Sequence, residues 1–253
     1  GNINYIEPKF FFIVPYRDRE RHLELYLNHM EHVLDGLDYL TLVVHQDDDR
    51  HFNRGAMKNI GFLYVKNTYP DDYKNITLVF NDVDTVPTEK NMFDYKTVQG
   101  TIKHFYGCQI ALGGIFSINA ADFEYINGFP NFWSWGYEDN LIQERATICN
   151  LKIDRSQFVS LMDKKIEHDF TDGFYRDVNK NDYILYVKKT SNGIHSISNL
   201  SYEFDISNNF VNVIHFDVPN IKSQTQKMDL RITNKPFQAI VPGSMSMKFS
   251  PQK

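Results

Sequence analysis

Three short, largely apolar runs, at residues 10–14, 40–44 and 77–80, constrain this chain more than anything else in it, with Thr41 and Thr77 their only polar members. Runs of that length without polar alternation belong to strands covered on both faces, as parallel strands between helices are. The segments between them carry helical spacing. Leu23, Leu27, Met30, Leu34 and Leu37 recur along the first, which stops near Gly36. Ala56, Ile60 and Leu63 share a face in the second, where Asn53 is placed to cap. Strand, helix, strand, helix, strand predicts an α/β fold with a mostly parallel central sheet flanked by helices. Sheets of this kind bind ligands beyond the carboxyl ends of their strands. A polar constellation follows each run: Arg17 and Arg19, the loop at 46–54, and Asp82 with Asp84.

Further along, Asn119 and Gly128 bracket a short capped helix. Another helix restarts at Asp139, with Leu141, Ile142, Arg145 and either Ile148 or Cys149 inward. From Asn192 the pattern turns strand-like through Ile194, Leu200, Tyr202, Phe204, Val211, Val213 and Phe216. A formal net charge of −5 and a pI near 6.0 exclude a nucleic-acid backbone as partner. An anionic ligand therefore needs a local arginine cluster and a metal. No stretch reaches the ~20 apolar residues of a membrane span. The two cysteines, Cys108 and Cys149, favour a reducing, cytoplasmic compartment. A Golgi-type lumen is the alternative if an anchor precedes Gly1.

Asp82 and Asp84 follow an apolar strand, where a period of two puts both carboxylates on one side. Hard oxygen donors so placed suit Mn²⁺ or Mg²⁺, which neutralises a diphosphate leaving group. Asp47-Asp48-Asp49 reads as a solvated loop. Arg17 and Arg19 offer planar, multi-donor groups for phosphate or uracil. The segment Phe129-Pro130-Asn131-Phe132-Trp133-Ser134-Trp135-Gly136-Tyr137-Glu138-Asp139 holds both tryptophans of the chain beside glycine and two carboxylates. As a core plug it is an odd choice. An aromatic lid followed by a general base at a helix N-terminus accounts for it better. By itself, His168 reads as structural as readily as it reads as a ligand.

In order along the chain, these pieces resemble the beta-1,4-galactosyltransferase family (glycosyltransferase family seven, GT-A fold). The matching runs are Val14-Pro15-Tyr16-Arg17-Asp18-Arg19, Phe52-Asn53-Arg54 with Asn59-Ile60-Gly61-Phe62, Asp82-Val83-Asp84, Gly113-Gly114, and Asn127-Gly128-Phe129-Pro130 leading to Glu138-Asp139. The resemblance covers about residues 10–170, and more loosely reaches 218. It implies one catalytic domain over 1–220, with 221–253 an unassigned extension. It implies nucleotide and donor contacts from Pro15, Arg17, Arg19, Phe52, Arg54, Val83 and Gly114. Asp84, supported by Asp82, and His168 are the implied metal ligands, with Mn²⁺ as cofactor and Mg²⁺ as the alternative. Trp135 is the implied lid, Glu138 the contact to the donor sugar, and Asp139 the base that takes the acceptor proton. The reaction implied is inverting transfer of galactose or N-acetylgalactosamine from a UDP-sugar to a glycan hydroxyl. UDP-glucose or UDP-xylose as donor, or UDP binding without turnover, are the alternatives.

Four positions depart from the pattern. Asn140 stands where the family continues with another acid, and Tyr137 where many members have glycine; both face the expected acceptor. Ala111 falls two before Gly113, where galactosyl enzymes have tyrosine, which leaves room for an N-acetyl group. Lys165 replaces a methionine metal ligand. The family's disulfides are not supported by two cysteines so placed.

Overall fold

The first apolar run becomes strand β1 (Phe10–Tyr16), and its side chains divide between two cores. Phe11 and Ile13 join one, and Phe12 and Val14 the other. Strands β2 (Tyr39–Gln46) and β3 (Thr77–Asn81) divide in the same way, Leu42 against Val43 and Leu78 against Val79. Only the threonines Thr41 and Thr77 break the apolar character of these runs, because both faces of the sheet are covered. The computed structural model describes residues 9–161, 163–169, 175–219 and 225–229. Much of the unassigned C-terminal extension therefore lies outside the described residues.

The remaining strands are β4 (Thr85–Pro87), β5 (Thr101–Gly107), β6 (Ile115–Asn119), β7 (Lys152–Asp154), β8 (Val159–Ser160), β9 (Ile166–His168), β10 (Tyr175–Asn179), β11 (Ser198–Asp205), β12 (Phe210–Asp217) and β13 (Thr225–Asp229). The helices are α1 (Glu20–Val33), α2 (Arg54–Thr68), α3 (Ala120–Tyr125), α4 (Glu138–Ile148) and α5 (Lys180–Val187). The main sheet runs β11-β12-β2-β1-β3-β6-β5-β7, with β8 also paired to β5. Its centre, β12-β2-β1-β3, is parallel, and β6 enters antiparallel to β3 and β5. Two small antiparallel pairs, β4 with β9 and β10 with β13, complete the described strands. The mixed α/β architecture and mostly parallel central sheet expected from the sequence are therefore present.

Local readings hold with some shifts. Asn53 caps α2 by accepting the Ala56 N–H at 2.9 Å, and Asn119 caps α3 through the Ala121 N–H at 3.0 Å. Strand β1 continues through Pro15 to Tyr16. Its pairing with β3 ends at Ile13, so proline's missing N–H costs no ladder bond on that side. Helix α1 buries Leu23, Tyr26, Met30 and Val33, whereas Leu27 is 36% exposed. The 3.6-residue period selects the tyrosine over the leucine. In α4, Ala146 is buried and Ile148 is 66% exposed, while Cys149 packs against the core from the helix's C-cap. Both cysteines are free.

Helix α2 is enclosed on two sides. The sheet covers one flank, and the chain at 129–131 covers the other so closely that a Cβ on Gly55 would sit 2.0 Å from the Pro130 carbonyl oxygen. Asparagines hold this approach. Asn59, fully buried, donates to the Phe129 carbonyl (2.8 Å) and to Asn131 Oδ1 (2.9 Å), and accepts the Phe129 N–H (2.9 Å). Asn131 in turn donates to the Gly193 carbonyl at 2.8 Å and accepts from Asn53 Nδ2 through its carbonyl at 3.2 Å. Arg145 of α4 adds bonds to the carbonyls of Gly128 (2.7 Å), Thr190 (2.9 Å) and Asn192 (2.5 Å). Asn59→Ala leaves both Phe129 backbone groups and Asn131 Oδ1 short of a partner in a dry site. A loss of roughly 3 kcal/mol in urea unfolding is expected, against less than about 0.5 kcal/mol for the exposed Asn208→Ala.

Candidate active site

The three sequence constellations converge beyond the carboxyl ends of β1, β2 and β3. After β1, Arg17 turns to the Arg50 carbonyl and to Asp18 Oδ2 (3.3 Å). After β2, Gln46 folds the loop on itself, donating to Asp48 Oδ1 (2.9 Å) and the His51 carbonyl (3.0 Å) and accepting the Asn53 N–H (2.8 Å). Arg17, Asp49, Arg50, His51 and Phe52 line a cavity of about 410 Å³ between these segments. Asp48 is no free surface acid, as the sequence had suggested for its loop. It clamps Arg50, whose guanidinium lies over Trp133 (4.9 Å) and Phe216 (4.4 Å).

Asp82 and Asp84 do not point the same way. Strand β3 ends at Asn81, and Asp82 to Asp84 form the turn into β4, so the alternation expected of a strand does not apply. Asp82 Oδ1 accepts from Arg54 (2.6 Å) and lies 3.8 Å from Lys58 Nζ. Burial opposes its ionisation, but Arg54 and Lys58 hold it at about 2. Asp84 faces the other side. Its Oδ2 accepts from Arg19 (2.8 Å), and its Oδ1 lies 3.8 Å from His168 Nε2. The register of β4 against β9 sets His168 opposite Thr85 and so beside Asp84. His168 Nδ1 meets the Tyr106 hydroxyl at 3.1 Å, and burial lowers the imidazole's pKa and keeps it neutral. A neutral imidazole with one nitrogen engaged and the other facing a carboxylate fits a divalent-cation pair. Lys165 is exposed, and among the described residues no three His, Cys, Asp or Glu side chains form a cation cage.

Glu138 and Asp139 open α4, as the second element of the site. Asp139 is the second residue of the helix rather than its cap, which is Tyr137. Its Oδ1 accepts from Lys58 Nζ at 3.2 Å. Its Oδ2 occupies space that a Cβ on Gly113 would enter at 2.5 Å, so only glycine admits the carboxylate there. Glu138 is buried. It accepts the Gly136 N–H (3.0 Å) and lies 3.4 Å from Arg54 Nε. Burial and the Asp139 charge push its carboxyl up to about 7, against the pull of Arg54 and Lys58. Burial favours the neutral form of Arg54, but Asp82, Glu138, Asp139 and Asp84 outweigh it and raise its pKa.

The aromatic segment splits in two. Trp133 is a core plug after all, 5% exposed and stacked on Phe216 at 5.6 Å. Trp135 is half-buried. Its N–H donates to the Asp177 carbonyl of β10 (2.8 Å), and its ring packs with Val178, Tyr183 and Met228. Ser134, Gly136 and Tyr137 all have positive φ, at 81°, 111° and 70°. Tyr137 stacks on Tyr186 of α5 at 5.0 Å. Of the nucleotide contacts selected from sequence, Arg17 and Phe52 line the 410 Å³ cavity, whereas Pro15, Arg19, Arg54, Val83, Gly114 and Trp135 do not. Pro15 and Val83 are buried, Val83 beside a second cavity that Asp84 also lines, and the Gly114 carbonyl accepts the Asp82 N–H at 3.2 Å.

Sequence reasoning passed over Lys58, His104 and Asp182. Lys58 looks like an ordinary helix lysine, and only its place between Met57 and Asn59 on an otherwise apolar helix hints at burial. His104 contacts the carbonyls of Tyr106 and Gly113 through Nε2, both at 3.1 Å, and so fixes the glycine turn. Burial lowers it to about 4. Asp182, in the first turn of α5, is 3% exposed, and burial followed by the Glu138 charge pushes it up to about 8.

Two family models match consecutive stretches of the sequence. One, the N-terminal region of glycosyl transferase group 7, spans residues 6–96, and the other, the N-terminal domain of galactosyltransferase, spans 94–169. The chain belongs to the beta-1,4-galactosyltransferase family. Human beta-1,4-galactosyltransferase 2 is 32% identical over 171 residues, covering 62% of this chain and 44% of that one. Human beta-1,4-galactosyltransferase 1 is 30% identical over 203 residues, covering 75% and 50%. The chain thus spans about half the length of these family members. The catalytic domain of Drosophila beta1,4-galactosyltransferase 7, in complex with xylobiose, superposes with a TM-score of 0.67 at 22% identity, covering 82% of this chain and 94% of that one. A mutant of the same Drosophila enzyme, in complex with manganese, UDP-Gal and xylobiose, gives 0.68. The shared GT-A fold is therefore present in this family member. No helix among its described residues is long and apolar enough to cross a membrane.

The raised carboxyls make stability depend on pH in a definite direction. Asp182 and Glu138 bind their protons more tightly in the folded chain than at their ordinary values of 3.8 and 4.5. Their contribution is full below those values and is lost as pH rises through about 7 to 8. Asp182→Asn, neutral at every pH, is expected to melt roughly 3 °C or more above the parent near pH 9. The advantage should vanish near pH 4, which thermal melts across the range will read.

Proposed function

We propose that this chain is an inverting, metal-dependent glycosyltransferase that moves galactose or N-acetylgalactosamine from a UDP-sugar to a hydroxyl of a glycan acceptor, forming a β linkage. One observation carries the reading. The Asp139 carboxylate stands in the first turn of α4, fixed through a single oxygen, with Asp82, Glu138 and Asp84 gathered around the neighbouring Arg54. A base that is half-buried, with one oxygen tied and the carboxylate so oriented, suits proton removal from an alcohol. The resemblance of the whole motif series, and the manganese and UDP-Gal bound by the Drosophila relative, support the same chemistry.

In this reading Asp139 takes the acceptor hydroxyl's proton as that oxygen bonds to the anomeric carbon. The bond from that carbon to the UDP oxygen breaks in the same step, and UDP departs with the electron pair. In-line attack turns an α-linked donor into a β-linked product. Glu138 faces the donor sugar as a hydrogen-bonding partner. Arg17 and Phe52 hold the nucleotide in the cavity between β1 and α2. Asp84 and His168 would hold Mn²⁺, with Asp82 tied behind them to Arg54. When bound, the metal neutralises charge on the departing diphosphate.

Ala111 supports N-acetylgalactosamine as a donor. It is 5% exposed beside the Gly113 turn, where a tyrosine would fill the space an N-acetyl group needs. UDP-GalNAc is expected to be used at least as well as UDP-Gal, and Ala111→Tyr to shift the kcat/KM ratio towards UDP-Gal by roughly tenfold or more. Exclusive use of UDP-Gal by the parent protein would refute the donor assignment.

The class of reaction is tested by UDP release with Mn²⁺, a panel of UDP-sugars and simple glycan acceptors. Asp139→Asn should keep UDP affinity and lose roughly 10³-fold in kcat. Tight UDP binding with no turnover of any donor would mark a binding protein instead.

A further inference from the structure

Lys58 is the most deeply buried cation among the described residues of the site, with its side chain 1% exposed. It reaches the site from the second turn of α2, and its ammonium lies over the Phe129 ring at 4.5 Å. Burying an ammonium is costly unless charge and hydrogen bonds compensate. Here the compensation is Asp139 Oδ1 at 3.2 Å and Asp82 Oδ1 at 3.8 Å. Asp82 already has Arg54, at 2.6 Å. The Asp139 backbone carbonyl takes the Leu112 N–H at 2.9 Å, while its carboxylate accepts from Lys58 on one oxygen only. Its other oxygen, Oδ2, is set over Gly113.

We propose that Lys58 is a positioning residue of the transfer reaction: by binding Asp139 Oδ1 it fixes the carboxylate's rotation and leaves Oδ2, over Gly113, as the oxygen that receives the acceptor's proton. The inference rests on the proposed transferase reading and adds an asymmetry between the two oxygens that the motif does not contain. A lysine suits the task. It donates at a point rather than as a fork, so it holds one oxygen and leaves the second free, where an arginine would take both. When the proton moves to Oδ2, the bond to Oδ1 persists, so no reorganisation is needed in mid-reaction.

The test is Lys58→Met, close in length and without charge, assayed with Mn²⁺, the preferred UDP-sugar and acceptor well below the melting temperature. The expected result is a fall in kcat of roughly 100-fold or more, with KM for the donor and affinity for UDP within about threefold of the parent. The same substitution in an Asp139→Asn background should bring less than about a threefold further loss, since the group Lys58 acts on is already gone. Full additivity of the two losses would overturn the proposal, as would an undiminished kcat in the single variant. If Lys58→Met does not fold, Lys58→Gln, which keeps a polar head in the pocket, is read by the same kcat and additivity criteria. A parent protein that turns over no UDP-sugar defeats the transferase reading and this inference with it. An active parent with an indifferent Lys58 defeats the inference alone.

Discussion

A sheltered charge imbalance organises this molecule. Arg54 and Lys58, one turn apart on α2, meet three carboxylates, Asp82 from the end of β3 and Glu138 and Asp139 from the start of α4. Three acids against two bases leave one negative charge too many in a partly dry place. The surplus appears where burial is deepest, on Glu138, whose carboxyl is pushed up to about 7 while Asp82 is held near 2. The cluster also ties sheet to helix. The two cations of α2 bridge the turn after β3 and the first turn of α4, so the walls of the site are joined by the groups that give it its polarity.

Such an arrangement demands a rigid frame, and asparagines supply it. Asn53, Asn59 and Asn131, all fully buried, fasten the chain at 129–131 against α2, and Arg145 fastens Gly128 and Asn192 from the far side. Each satisfies backbone groups that would otherwise be stranded in a dry interior. Because α2 carries Asn59, is capped by Asn53 and also carries Arg54 and Lys58, frame and chemistry share one helix. The backbone strain at Ser134 is tolerated between two fixed points, the stack of Trp133 on Phe216 and the bond from Trp135 to β10.

The sheet was legible in the sequence because its signal is strong and local. Largely apolar runs, a capping asparagine and a glycine stop each have one physical meaning, and the family motifs reinforced them. Leu27 misled because hydrophobicity alone does not rank leucine against Tyr26 on one helix face. Asp82 and Asp84 were selected as a pair, but a turn, not a strand, carries them, and turn geometry sends them to different partners. Trp133 and Trp135 look alike in sequence; what separates them is Phe216, more than eighty residues away, which no local pattern reveals. Lys58 was invisible for the same reason. A lysine on a helix is unremarkable until the fold brings Asp139 to it across the sheet's end.

The left-handed turn at Tyr137 has a reach beyond its own residue. A tyrosine held at φ 70° costs roughly 1 kcal/mol relative to a relaxed backbone, and glycine would be free of it. What offsets the cost is ring contact with Tyr183 and Tyr186 on α5. The start of α4, and with it the direction of Glu138 and Asp139, is therefore set partly by a helix that supplies neither. Drift in α5, a short helix with no motif of its own, becomes a means by which sequence change retunes the reacting groups without replacing any of them.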